Sequence, residues 1–154
     1  LLLAPGGAQI YYGDEVARPL VAAGARGDAN LRSNMSWQAM EGPAYMAEIL
    51  EHWQKLGRFR QDHPAVGAGE HQRLRVEPYI FSRTLEKDGF VIDRVIVAMD
   101  LEAGPKTIMV YGLFPDGTEL RDAYSGQTAV VMDGDITLDT DYDMVLLSAE
   151  EVAR

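Results

Sequence analysis

The sequence predicts a mainly β protein: short antiparallel strands in a sandwich or barrel, preceded by a strand, a long loop and one helix. Three observations carry this. After Gly69 the apolar residues recur with a period of two, and Asp88-Gly89, Asp116-Gly117, Ser125-Gly126 and Asp133-Gly134 punctuate them as turns. Before Gly69 the period is helical: Met46, Ile49, Leu50, Trp53 and Leu56 recur at spacings of three and four. The charge also shifts along the chain. Residues 1–65 hold seven acids and six bases, whereas residues 66–154 hold 17 acids and eight bases. That shift sets a boundary near Pro64 and divides the chain into an incomplete segment, 1–65, and a sandwich domain, 66–154.

Each element has a local reason. Leu1, Leu2 and Leu3 read as the last turn of a helix, stopped by Pro5-Gly6-Gly7. Ala8-Gln9-Ile10-Tyr11-Tyr12 is a short apolar run between glycines, and it predicts a strand buried on both faces. Residues 16–36 are rich in Ala, Gly, Asn and Ser without a clear period, which predicts a long loop ending in Arg32-Ser33-Asn34-Met35-Ser36-Trp37. Gly42-Pro43 can open a helix. Arg58 and Arg60 suit its C-terminal end, and His63-Pro64 stops it, giving a helix over about 43–62. The strands fall near 71–76, 78–84, 91–99, 106–111, 118–123, 127–132, 135–139 and 142–148. The last residues, 150–154, are expected to fray.

Composition narrows the functions. A net charge of −10 repels phosphate backbones and anionic lipid, so nucleic acid and membrane surfaces are excluded as partners, while neutral ligands such as sugars stay permitted. There is no cysteine, hence no disulfide or thiolate metal site in these residues. No apolar run approaches a transmembrane length. The chain begins at Leu1 without an initiator Met or a basic leader, which reads as a boundary within a longer protein.

Several residues could carry chemistry. Asp14-Glu15 follows the predicted strand. In a (β/α) barrel that end of a strand faces the active site, but a pair of loop charges or a salt-bridged structural acid is the favoured reading of the residues alone. Asp28 and Arg32, four apart in the loop, could grip sugar hydroxyls with directed hydrogen bonds, or form an exposed ion pair of little value. His52, His63 and His71 have no partner at zinc-site spacing and read as packing, a helix-end charge and a surface strand position. Asp133, Asp135, Asp139, Asp141 and Asp143 lack the loop pattern and bidentate Glu of a calcium site. Trp37 could stack on a sugar ring or pack in a core, whereas Trp53 lies on the helical stripe.

These residues also resemble a family. Ala4-Pro5-Gly6-Gly7-Ala8-Gln9-Ile10-Tyr11-Tyr12-Gly13-Asp14-Glu15 is similar to the eighth barrel strand of alpha-amylase family retaining glycoside hydrolases, which ends Tyr-Tyr-Gly-x-Glu. Asp28 to Trp37 resembles that family's Asp-Pro-x-x-Arg-x-Pro-Met-x-Trp segment, with Ala29 and Asn34 in place of the prolines. Leu56 to Gly69 resembles its last barrel helix, where Leu-x-x-x-Arg leads into His-Pro-Ala-x-x-x-Gly. The detail of the first 70 residues resembles the periplasmic bacterial members acting on maltodextrins.

The resemblance implies the fold: the last strand, loop and helix of a (β/α)8 barrel, then an antiparallel Greek-key sandwich as the C-terminal domain. Residues 86–94 depart from it as an elongated hairpin. It implies a parent that hydrolyses α-1,4-glucosidic bonds of starch and maltodextrin with retention, periplasmic or secreted. The family's nucleophile, acid/base and third carboxylate lie on strands four, five and seven, and its calcium ligands are also upstream. No catalytic or metal-binding residue is therefore expected in this chain, and calcium is expected only in the full-length parent. By position, Asp28 and Arg32 inherit contacts to a substrate sugar. The competing reading is a non-catalytic sandwich that binds glucan or shields the barrel. Without barrel neighbours, residues 1–15 are expected to self-associate or to take a non-barrel path.

Overall fold

Alternating residues and Gly-containing turns place eight antiparallel strands after residue 69: β1 (Glu70–Arg75), β2 (Tyr79–Lys87), β3 (Phe90–Met99), β4 (Gly104–Met109), β5 (Glu119–Asp122), β6 (Thr128–Val130), β7 (Asp135–Thr140) and β8 (Val145–Ala149). All eight predicted strands are present. The computed structural model describes residues 1–35, 37 and 43–149. Ser36, Gly42 and the expected fraying of 150–154 lie outside the described residues. Two compact units form, one from residues 1–7 with 58–154 and the other from residues 8–57.

In the first unit, six strands make one sheet in the order β1-β2-β3-β8-β5-β6, and β4 pairs with β7 as a separate ribbon. After β3 the chain crosses to the ribbon as β4, returns to the large sheet as β5 and β6, crosses again as β7, and ends as β8 beside β3. This crossing between sheets is the Greek-key sandwich that the family resemblance implies. Asp88 and Gly89 both take positive φ and close the β2–β3 hairpin in two residues, with Lys87 opposite Phe90.

The core lies between the two sheets. Ile80, Ile96, Ala98, Leu120, Val145 and Leu147 from the large sheet meet Ile108, Ile136 and Leu138 from the ribbon. Burying such a side chain stabilises by about 1.5–3 kcal/mol. The alternate residues of the central strands, Phe81, Val95, Val97 and Leu146, are buried as well. A sheet covered on both faces reads as a continuous apolar run, which explains Val95–Ala98 and Val145–Leu147.

Asp122 is fully buried in β5 and works as a turn anchor. It accepts the N–H groups of Tyr124 (3.0 Å), Ser125 (3.1 Å) and Leu146 (2.8 Å), and the Ser125 hydroxyl. Lys106 buries its stem in the ribbon and donates Nζ to the carbonyls of Thr140 and Tyr142.

Helix α1 (Ala44–Asp62) follows the predicted stripe. Met46, Ile49, Leu50 and Trp53 are half-buried, and Leu56 and Phe59 are buried. Pro64 ends α1, but its fixed φ also starts a second short turn, α2 (Ala65–Ala68), which the sequence reading did not anticipate. α2 contacts β2 and β3. Its Val66 carbonyl accepts Arg83 Nη2 at 3.0 Å. Burial, with the Arg60 charge nearby, holds the Arg83 guanidinium below its ordinary pKa. Arg60 instead donates to the carbonyls of Leu2, Ala4 and Gly6, tying the first residues to the helix end.

One predicted element is absent. Residues 8–12 form no strand; they run without regular structure into a 3-10 turn at Asp14–Val16. A strand needs neighbours to take its N–H and C=O groups. Among the described residues no other segment pairs with this one. Ile10, Tyr11 and Tyr12 are each more than 40% exposed, at 47%, 42% and 44%, instead of buried on two faces.

Candidate functional site

The unit of residues 8–57 is organised by an arginine that the sequence reading passed over. Arg18 is 5% exposed. Its Nε donates to the Tyr12 carbonyl (3.0 Å), Nη1 to the Ser33 carbonyl (2.9 Å) and to Ser33 Oγ, and Nη2 to the Leu31 carbonyl (3.1 Å). Its Cζ also lies 4.2 Å from the centre of the Tyr12 ring. A planar guanidinium can spread its five donors over several carbonyls at once, which the compact ammonium of a lysine cannot.

Two tyrosines repeat the same link. Tyr11 donates its hydroxyl to the Leu31 carbonyl and Tyr12 to the Ser33 carbonyl, both at 3.0 Å. Ser33 Oγ in turn donates to the Pro19 carbonyl at 2.9 Å. Local desolvation and the neighbouring Tyr12 push the Tyr11 phenol up from its ordinary pKa, against the pull of the Arg18 and Arg32 charges. Tyr11 is therefore a neutral donor at physiological pH. Gly13 makes room for the arrangement: at φ 91 it is left-handed, and a Cβ there would lie 2.5–2.7 Å from the Arg18 side chain.

With the loop held in this way, residues between Pro19 and Met35, with Trp37, border an open cleft of about 720 Å³. Pro19, Val21 and Ala22 line it together with Arg32, Asn34 and Trp37. Trp37 is 72% exposed, so its ring is available to a ligand and is not core. The cleft joins an exposed aromatic face to a guanidinium and a carboxamide. Such a surface can stack on an apolar ring face and hydrogen-bond to hydroxyl edges.

Of the two predicted binding residues, Arg32 lines this cleft and Asp28 does not. Both are exposed and belong to the 3-10 helix Gly27–Arg32. Among the described residues they form no ion pair with each other. At the turn after residue 12, Glu15 accepts the Gly13 N–H at 2.9 Å and so acts as a local cap, while Asp14 is exposed. Among the described residues no three carboxylate or imidazole groups converge as metal ligands would.

His63 is a helix-end group with a defined partner. Its Nδ1 lies 3.0 Å from Asp93 Oδ1, and Asp93 Oδ2 accepts the Ala65 N–H at 2.8 Å. Burial raises the Asp93 pKa, but hydrogen bonds from His63, Ala65 and the Arg94 backbone, with the His63 charge, outweigh it. They hold the carboxyl below its ordinary range.

Comparisons with known proteins place this geometry. No protein-family model matches the chain. In sequence it is 47% identical over 74 residues, 48% of the chain, to a periplasmic alpha-amylase of Escherichia coli strain K12. The chain spans only 11% of that relative's length. In fold it matches an Anoxybacillus alpha-amylase with a TM-score of 0.65 at 24% identity, over 97% of this chain and 30% of that one. It matches an alpha-amylase of Geobacillus thermoleovorans, complexed with acarbose, with a TM-score of 0.66 at 20% identity, over 98% of this chain and 31% of that one. Sequence similarity over half the chain and fold similarity over nearly all of it agree: this chain is similar to the C-terminal part of an alpha-amylase family glycoside hydrolase.

Proposed function

We propose that the chain is the C-terminal part of a periplasmic or secreted alpha-amylase that hydrolyses α-1,4-glucosidic bonds in starch and maltodextrin with retention. In this reading residues 1–65 are the terminal segment of the catalytic barrel and residues 66–154 are the sandwich domain. The observation that carries it is the 47% identity, over 74 residues, to a periplasmic alpha-amylase. The cleft adds a physical reason: Trp37 and Arg32 offer stacking and directed hydrogen bonds to a neutral sugar.

The chain's part in the reaction is binding. Arg32 holds a substrate sugar through its guanidinium, Trp37 covers a ring face, and Asp28, outside the cleft lining, accepts from hydroxyls of a substrate that reaches beyond it. Arg18, Tyr11 and Tyr12 are positioning residues, because they hold the backbone that presents Arg32. The two carboxyl groups that cleave the bond, and any calcium, belong to the rest of the parent. The exposed Ile10, Tyr11 and Tyr12 favour self-association of the isolated chain through residues 1–15.

Kinetics of the full-length parent on maltodextrins test the assignment. Arg32→Ala is expected to lower kcat/KM by about 10-fold to 100-fold, the effect of losing about 1.5–3 kcal/mol of charged hydrogen bonding. Unchanged kinetics with an intact fold would make Arg32 structural and remove the cleft from substrate binding.

A further inference from the structure

The sandwich carries a second cleft, far along the sequence from the first. Its centre is Tyr111, which at 81% exposure is the most exposed large hydrophobic side chain among the described residues. An aromatic ring left this open is either idle or used.

The surroundings favour use, because the ring is held in place. Gly134 lies directly against it: a Cβ on Gly134 would meet Tyr111 Cβ and Cδ2 at 3.1 Å. Asp133 and Gly134 both have positive φ, at 53° and 80°, which brings the turn backbone this close. The turn is pinned on both sides. The Gly134 N–H donates to Asp116 Oδ1 at 2.8 Å, and its carbonyl accepts the Val110 N–H at 2.8 Å. The two segments bordering the cleft, 111–116 and 133–134, are thus fixed to each other. Pre-organisation of this kind lowers the entropic cost of binding.

The cleft measures about 550 Å³, within the range of about 300–1,000 Å³ for small-molecule sites. Asp116, Asp133, Arg94 and Phe114 line it with Tyr111. Arg94 is committed within this lining: Nε donates to Thr84 Oγ1 at 3.2 Å and Nη1 to the Leu113 carbonyl. Asp116 uses Oδ1 on the turn, which leaves Oδ2 for a ligand. One open aromatic face flanked by carboxylate acceptors matches a pyranose ring, which offers a C–H face and a rim of hydroxyl donors. The net charge of −10 and the two aspartates disfavour a phosphorylated or carboxylated ligand.

We propose that this cleft is a non-catalytic binding site for a neutral α-glucan chain, with Tyr111 stacking on a glucosyl ring and Asp116 and Asp133 accepting from its hydroxyls. The choice of an α-glucan rests on the function proposed above, whereas the choice of a neutral saccharide rests on the cleft itself.

The test is a titration of the 154-residue chain with maltoheptaose, followed residue by residue by amide NMR, with cellohexaose as the β-linked control. Saturable shifts are expected at residues 111–116 and 133–134, at least tenfold weaker with cellohexaose. Tyr111→Ala should weaken this binding at least tenfold, Tyr111→Phe should retain it, and Trp37→Ala should leave it unchanged. No response at these residues, or an unchanged Tyr111→Ala, overturns the site. Shifts confined to Arg32–Trp37 overturn it too, while leaving the proposed function standing. Equal binding of cellohexaose overturns the α-glucan assignment and with it the link to that function.

Discussion

Replacing Arg18 by alanine is the sharpest test of how the loop that presents Arg32 is held. Arg18 donates four hydrogen bonds and lies over the Tyr12 ring. A hydrogen bond from a charged group contributes about 1.5–3 kcal/mol, so a simple sum would reach about 6–12 kcal/mol before the cation–π contribution is added. That sum overshoots, because the four bonds act as one unit. Two of the acceptors also keep a partner: the Leu31 carbonyl retains the Tyr11 hydroxyl, and the Ser33 carbonyl retains that of Tyr12. Only the Tyr12 carbonyl is orphaned outright among the three. The expected loss is about 3 kcal/mol, which is a local opening roughly a hundredfold more frequent. Amide hydrogen exchange reads this directly at Ala22, whose N–H donates to Asn30 Oδ1, and at Ser33, whose N–H donates to the Asn30 carbonyl. Both should exchange about a hundredfold faster in Arg18→Ala, while the amides of β3 and β8 keep their protection. Arg18→Lys should recover little, since an ammonium cannot span three carbonyls. Exchange within threefold of wild type at Ala22 and Ser33 would refute Arg18 as the organiser of the loop.

Other expectations concern the sandwich. Asp122→Ala removes the acceptor of four hydrogen bonds in a fully buried position and should destabilise the chain by about 3–5 kcal/mol, measured by denaturant unfolding. An effect under 1 kcal/mol would show that water or backbone shifts replace it. Asp93 has a depressed folded pKa, so its stabilisation is complete above the unfolded value of about 3.9 and is lost as pH falls from there through the lower folded value. Asp93→Asn should flatten the stability–pH curve in that acid window, and an unaltered slope would remove the His63–Asp93 pair as its cause.

Much of the fold is legible in the sequence because local signals and global packing agree. The period of two and the Asp-Gly turns mark the strands, and the stripe from Met46 to Leu56 marks α1. The element that goes astray, Ala8–Tyr12, shows the limit. Its composition is that of a barrel strand, but a strand exists only when its backbone groups are paired, and pairing is not encoded in the segment itself. The sites were half legible. Arg32 and Trp37 stand in a recognisable loop pattern, and the cleft brings them together. Arg18 carries no signal, since a lone cation in a Pro- and Ala-rich stretch looks like a solvated charge. Only the fold shows the three carbonyls it gathers. Tyr111 was read as strand because it ends a period-two run, and its exposure follows from the turn that Gly134 allows beneath it.

The division of labour between binding and cleavage is tested most directly by release of reducing ends from soluble starch by the purified 154-residue chain. Retaining hydrolysis needs two carboxyl groups about 5 Å apart across one bond, one of them protonated. Glu15 is engaged with the Gly13 N–H and its neighbour Asp14 is exposed, an arrangement with no such pairing. No release above the blank is expected over a long incubation. Turnover that survives removal of host amylases and disappears in Glu15→Gln would contradict this expectation.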